Sequence, residues 1–148
     1  MKNSEITKEA LERARRWYQG AIRALEDQRW DDVVYSYEMA VEQSLKAILI
    51  LYGIEYPKKH DISNIYLSLK NKNLPEFFSK NIDNHAKILN LLVKKRGPAA
   101  YGYVEGIDKT KFMKDAKNLK QNVENILNEC EQLLKEFNKV NENDNKEY

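Results

Sequence analysis

One cysteine, Cys130, and two histidines, His60 and His85, are the only thiol and imidazole groups in this 148-residue chain. A lone thiol forms no intramolecular disulfide, so packing alone must hold the fold. Neither histidine has another His or Cys at ligand spacing, so no metal site is expected. Cofactors are not expected either. Three prolines and five glycines leave long stretches uninterrupted, yet no apolar run reaches the roughly 18 residues needed to span a bilayer. No signal peptide is apparent, and a cytoplasmic protein that makes no use of a membrane is expected. Charge of one sign is also lacking: 25 basic and 23 acidic side chains leave a formal +2. The bulk balance therefore neither requires nor forbids nucleic acid, and only local clustering bears on it.

What the chain does have is helical periodicity, almost throughout. A first helix is expected from about Glu5 to Gln28, with Leu11, Ala14, Trp17, Tyr18, Ala21, Ile22 and Leu25 on one face and Arg13, Arg15, Arg16 and Arg23 among the rest. The second starts at Asp31-Asp32, whose carboxylates suit the positive end of a helix dipole, and stops at Gly53. Its Val34, Tyr37, Val41, Leu45, Ile48 and Tyr52 recur at spacings of three and four. Residues 45–51 are apolar nearly all round, which predicts a helix covered on several sides. Asp61 is placed to cap a short helix through Ile62, Ile65, Tyr66 and Leu69. Pro75 suits the first turn of a helix extending toward Lys95, with Phe78, Ile82, Ala86, Leu89 and Val93 inward and Gly97-Pro98 as its stop. After an irregular segment at 96–108, a last helix is expected from near Asp108 to Val140, carrying Phe112, Ala116, Leu119, Val123, Ile126, Cys130, Leu133 and Phe137. Four long helices and one short one predict an all-α fold, an antiparallel four-helix bundle with an additional short helix, over 5–140. Residues 141–148 read as a disordered polar tail.

The Trp17 to Leu25 region, the run Ala-Val-Glu-Gln-Ser-Leu-Lys-Ala-Ile-Leu at 40–49, His60-Asp61-Ile62 and the Arg96-Gly97-Pro98 break, taken together over roughly residues 8 to 137, resemble the HEPN domain. Two positions depart from the pattern of that family. Gln43 stands where the family usually has the lysine of a Glu-Lys dipeptide, and Gly97 stands where it often has tyrosine.

The resemblance implies where to look for chemistry. HEPN ribonucleases carry an arginine followed four to six residues later by a histidine, brought into a shared cleft by two chains. The histidine moves protons at the ribose 2′-hydroxyl and the leaving oxygen while the arginine stabilises the phosphorane. Arg96 matches the arginine, but no histidine follows it anywhere, and Tyr101 stands in the histidine position. A phenol ordinarily loses its proton near pH 10, too high for an efficient general base at neutrality. In a subset of the family a tyrosine two residues further on is modified with AMP by a small nucleotidyltransferase, and Tyr103 matches that position.

Arg96 and Tyr101 are thus the candidate catalytic pair, Lys94, Lys95 and Arg96 the candidate nucleotide- or RNA-binding cations, and Tyr103 the candidate modification site. His60 reads as a loop-ordering residue, His85 as an exposed or boundary helical residue, and Cys130 as core. The expected function is that of a homodimer partnered with a minimal nucleotidyltransferase in a toxin–antitoxin-like pair, its site facing RNA or nucleotide but lacking the usual histidine. Self-association is expected because residues 45–51 and the tyrosine-bearing segment both call for more cover than one small bundle supplies. Two alternatives stand beside it: a metal-independent ribonuclease toxin using Arg96 with Tyr101 or a histidine from elsewhere in the fold, and a helical adaptor that binds only protein.

Overall fold

The computed structural model describes the backbone of residues 1–146 and the side chains to residue 141. It is all-α, with no strand among the described residues. Helix α1 spans Asn3–Glu26 and α2 Trp30–Leu51; α3, Ser63–Tyr66, runs on into a 3-10 turn at Leu67–Asn71. A short α4, Glu76–Ser79, precedes α5, Ile82–Tyr101. Two 3-10 turns, Gly102–Glu105 and Lys109–Phe112, lead into α6, Met113–Asn118, and α7, Lys120–Lys146.

The core is built around α2, which packs against α1, α5 and α7, while α1 also packs on α7. Val33, Val34, Tyr37, Ala40, Val41, Leu45, Ala47, Ile48 and Leu49 have no exposed surface at all, as an apolar helix with small residues beside its main stripe requires. Two buried hydroxyls fix the packing. Thr7 donates to the Ala47 carbonyl at 3.0 Å, joining α1 to α2, and Tyr37 donates to the Ala116 carbonyl at 2.7 Å, joining α2 to α6. At the end of α2, Gly53 takes φ +68°, the Gly53 amide donates to the Ile50 carbonyl and the Ile54 amide to the Leu49 carbonyl, the paired bonds of a glycine-terminated helix. Helix α1 ends the same way, but on Gln28, at φ +59°.

Several expectations are corrected. The helix expected from Pro75 is broken at Lys80-Asn81 into α4 and α5, and the last helix is offset at Leu119 between α6 and α7. Gly97-Pro98 does not stop α5, which runs on to Tyr101. A proline removes one helical N–H and crowds the Cβ of the residue before it, but that residue here is glycine, which has none. The run at 45–51 is no argument for a partner, because the chain's own helices cover Leu45, Ala47, Ile48 and Leu49 completely. His85 is neither exposed nor at a boundary. It is fully buried, its Nδ1 2.8 Å from the Tyr66 hydroxyl and its Nε2 3.4 Å from Glu129 of α7. The backbone is helical through Lys146 where a tail was expected from 141, and residues 147 and 148 of that tail lie outside the described residues.

Candidate functional site

Tyr35, Glu38, Glu42 and Lys46, spaced three, four and four along α2, form one polar stripe on a largely apolar helix. Facing it are Arg96 from α5 and His60 from the loop between α2 and α3. Arg96 Nε lies 3.3 Å from Glu38 Oε2, its terminal nitrogen donates to the Tyr35 hydroxyl at 3.1 Å, and its guanidinium sits 5.0 Å over the Tyr35 ring. Glu42 accepts from Lys46 Nζ at 2.8 Å and lies 2.9 Å from His60 Nδ1. Carboxylate oxygens of Glu38 and Glu42 and a ring nitrogen of His60 all lie within 4.8 Å of one another.

The two carboxyl groups are not equivalent. Glu38 has no exposed surface, and neither of its oxygens makes a hydrogen bond of good geometry with a fixed donor, the Arg96 Nε–H being out of line. Burial, with the neighbouring Glu42 next, pushes the Glu38 carboxyl up to about 9. Burial also opposes ionisation of Glu42, but the hydrogen bonds from Glu38, Lys46 and His60 outweigh it and hold Glu42 below the usual carboxylate range. The consistent assignment is one proton held by the pair, on Glu38 and not on Glu42. With Lys46 and Arg96 already beside the two carboxyls, the cluster has its counter-charges. A divalent cation would have to displace them.

The expected site residues are only partly brought together. Arg96 is held inward, its side chain 21% exposed. Lys95 reaches Asp115 of α6 at 2.9 Å and is thereby engaged in helix packing. Lys94 is exposed and free of ion pairs among the described residues. Because α5 continues past Pro98, Tyr101 follows Arg96 by five helical residues, about 140° around the axis, so within one chain the two side chains diverge. Tyr101 is 63% exposed, and Tyr103, on the turn that follows, is 74% exposed with Val104 beside it. Gly102 between the tyrosines is buried, and a Cβ there would meet Ile107 Cβ at 3.0 Å, so this glycine is what lets the turn close down on Ile107. Two clefts, of about 420 Å³ beside Tyr52, Leu74 and Phe137 and about 470 Å³ between α1 and α7, do not include Arg96.

A HEPN domain family model matches residues 7–139, nearly the whole chain. The chain belongs to the HEPN family. Comparisons with curated proteins and with solved structures found no match. Within this HEPN fold, sequence reasoning missed Glu38 and Glu42. The signal was present as two glutamates one turn apart on a helix that is otherwise almost uncharged on its inner face. His60 orders its loop as expected, but it does so by binding a buried carboxylate of α2. Asp61 beside it accepts from the Ser63 amide at 3.0 Å and from Asn90 of α5 at 2.9 Å.

Proposed function

We propose that this HEPN protein works as a dimer with a minimal nucleotidyltransferase in a toxin–antitoxin-like pair, and that its Arg96 site faces RNA or nucleotide without the usual proton-carrying histidine. The observation that carries the reading is the contrast between Arg96 and Tyr103. Arg96 is locked to Glu38 and Tyr35, while the Tyr103 phenol is 74% exposed and has no hydrogen-bond partner among the described residues. A phenol standing clear of its own chain is accessible to a modifying enzyme. Its oxygen would attack the α-phosphorus of ATP, forming the O–P bond as pyrophosphate leaves and the phenolic proton passes to a base of the partner.

Incubation with a nucleotidyltransferase from the same genome and ATP, followed by intact mass spectrometry, tests this directly. An AMP adduct lost in Tyr103→Phe is expected; no adduct, together with a monomeric mass by light scattering across micromolar concentrations and no RNA affinity, would leave a protein-binding adaptor. One observation favours a second reading as an active ribonuclease. His60 is half-exposed and oriented by buried Glu42, which adjoins the Glu38–Arg96 pair. A carboxylate-held imidazole is a competent proton carrier. RNA cleavage abolished by both His60→Gln and Arg96→Ala would establish that reading, whereas Tyr101 is poorly placed to serve Arg96 in the same chain.

A further inference from the structure

Arg96 does not stand alone on its side of the molecule. The Tyr35 ring beneath its guanidinium meets Trp17 of α1 edge to face, with ring centroids 6.2 Å apart. Trp17 in turn lines a shallow cavity of about 160 Å³ with Arg13 and Arg16. A continuous surface therefore runs from α5 across α2 to α1: Arg96, Tyr35, Trp17, then two arginines. Both of those arginines are exposed. Glu9 and Glu12, one turn earlier, are the natural helix partners for them, yet neither pair closes to an ion pair among the described residues. Arg15, by contrast, is turned to α7, where it pairs with Glu131 and donates to Asn128 at 2.9 Å. The sequence cannot separate these arginines, but the fold spends Arg15 on structure and leaves Arg13 and Arg16 exposed beside an aromatic ring, with no ion pair among the described residues.

We propose that Arg13, Arg16 and Trp17 form a binding ledge for single-stranded RNA that extends the Arg96 site onto α1. The proposal rests on the reading above that Arg96 faces RNA or nucleotide. Guanidinium groups grip phosphodiester oxygens in fork geometry, and a half-buried indole supplies a flat face on which an unpaired base stacks. Unpaired bases are essential to this, because a duplex keeps its faces occupied. An acidic protein surface would also pair with the arginines, and stacking of an unpaired base on the indole is what sets single-stranded RNA apart from it.

Fluorescence anisotropy with a labelled oligoadenylate, the same strand annealed to its complement, and polyglutamate as competitor tests the ledge. The parent should bind the single strand more tightly than the duplex. Raising salt from 50 to 200 mM should cost the parent about 7-fold more affinity than Arg13→Ala/Arg16→Ala, the loss of two single-strand phosphate contacts. Trp17→Leu keeps apolar packing against Tyr35 and removes the stacking face; it should weaken oligoadenylate binding by about 5- to 150-fold. Lys139→Ala, on the exposed face of α7, should change nothing. Circular dichroism melts of each variant check that the fold is retained, and the two arginine substitutions, being at exposed positions, keep the test independent of Trp17. If Arg96→Ala weakens binding while the α1 variants do not, the ledge is wrong and the Arg96 reading survives. If the parent binds no RNA, both fall. Polyglutamate competing as well as RNA, with no effect of Trp17→Leu, would overturn the ledge in favour of an acidic protein partner.

Discussion

Replacing Glu38 by glutamine tests the shared proton at the centre of the site. Glutamine has the shape of a protonated glutamic acid and does not titrate, so at or below about pH 4.5 the variant should differ from the parent by no more than about 1 kcal/mol, the range of a single hydrogen bond. The two should part company as the pH rises. A carboxyl that titrates near 4.5 in the unfolded chain and is pushed up to about 9 by burial in the folded one takes up a proton on folding between those values. Its contribution to stability is complete below about 4.5 and is lost as the pH climbs toward 9. The slope is at most about 1.4 kcal/mol per pH unit, so across three units the parent loses up to about 4 kcal/mol that Glu38→Gln retains. Glu42, Lys46, His60 and Arg96 surround the same carboxyl and are present in both proteins, so the difference between them reports the Glu38–Glu42 pair as a unit. Urea melts of both proteins at pH 4.5, 6, 7.5 and 9, with unchanged m-values, read it out. A parent and variant whose stabilities run parallel with pH would show that Glu38 is ionised throughout and that the Arg96 pair, not a proton, compensates it.

Leu45→Ala or Ile48→Ala, at positions with no exposed surface, should cost about 2–5 kcal/mol in the same melts. Arg96→Ala should cost less at pH 7, about 1–3 kcal/mol, because a protonated Glu38 leaves no buried charge behind. Its cost should grow above pH 9, toward the 3–5 kcal/mol or so of a broken buried ion pair; the reverse order at neutral pH would refute the shared proton. Gln28→Gly should raise stability by about 1 kcal/mol, since Gln28 occupies a left-handed conformation at φ +59° that glycine adopts without strain. Gly102→Ala should destabilise by about 1–3 kcal/mol through the contact with Ile107, and should loosen the turn that presents Tyr103.

The helices and their inward faces were legible because burial repeats with the period of the helix. Leu11, Ala14, Tyr18 and Ala21, or Val123, Ile126, Cys130 and Leu133, are buried as their spacing demands. The breaks were less legible. Proline and glycine are the usual punctuation, yet Gly97-Pro98 passes inside α5, while Leu119, a good helix former, and Asn81, a weaker one, sit where helices are interrupted. Such interruptions are set by how one helix must turn to bury its neighbour's face, information that no local window holds. Gln28 shows the same thing: its left-handed turn is dictated by the tight passage from α1 to α2.

The site was half legible for a related reason. Arg96, Tyr101 and Tyr103 were nominated through a linear pattern, and a linear pattern says nothing of rotation about α5, which sends Arg96 inward and Tyr101 outward. Glu38 and Glu42 were passed over because charged residues on a helix are ordinarily solvated and need no explanation. On α2 only a narrow strip that includes Asp32, Ser36 and Gln43 reaches solvent, and Glu38 and Glu42 fall outside it, so both are buried. Two buried carboxylates cannot both stay ionised without cations beside them. That requirement predicts Arg96, Lys46 and a proton as their company. The arginine that the family pattern marks is therefore also a packing partner of the buried Glu38 carboxyl, and any substitution there must be judged on stability before activity.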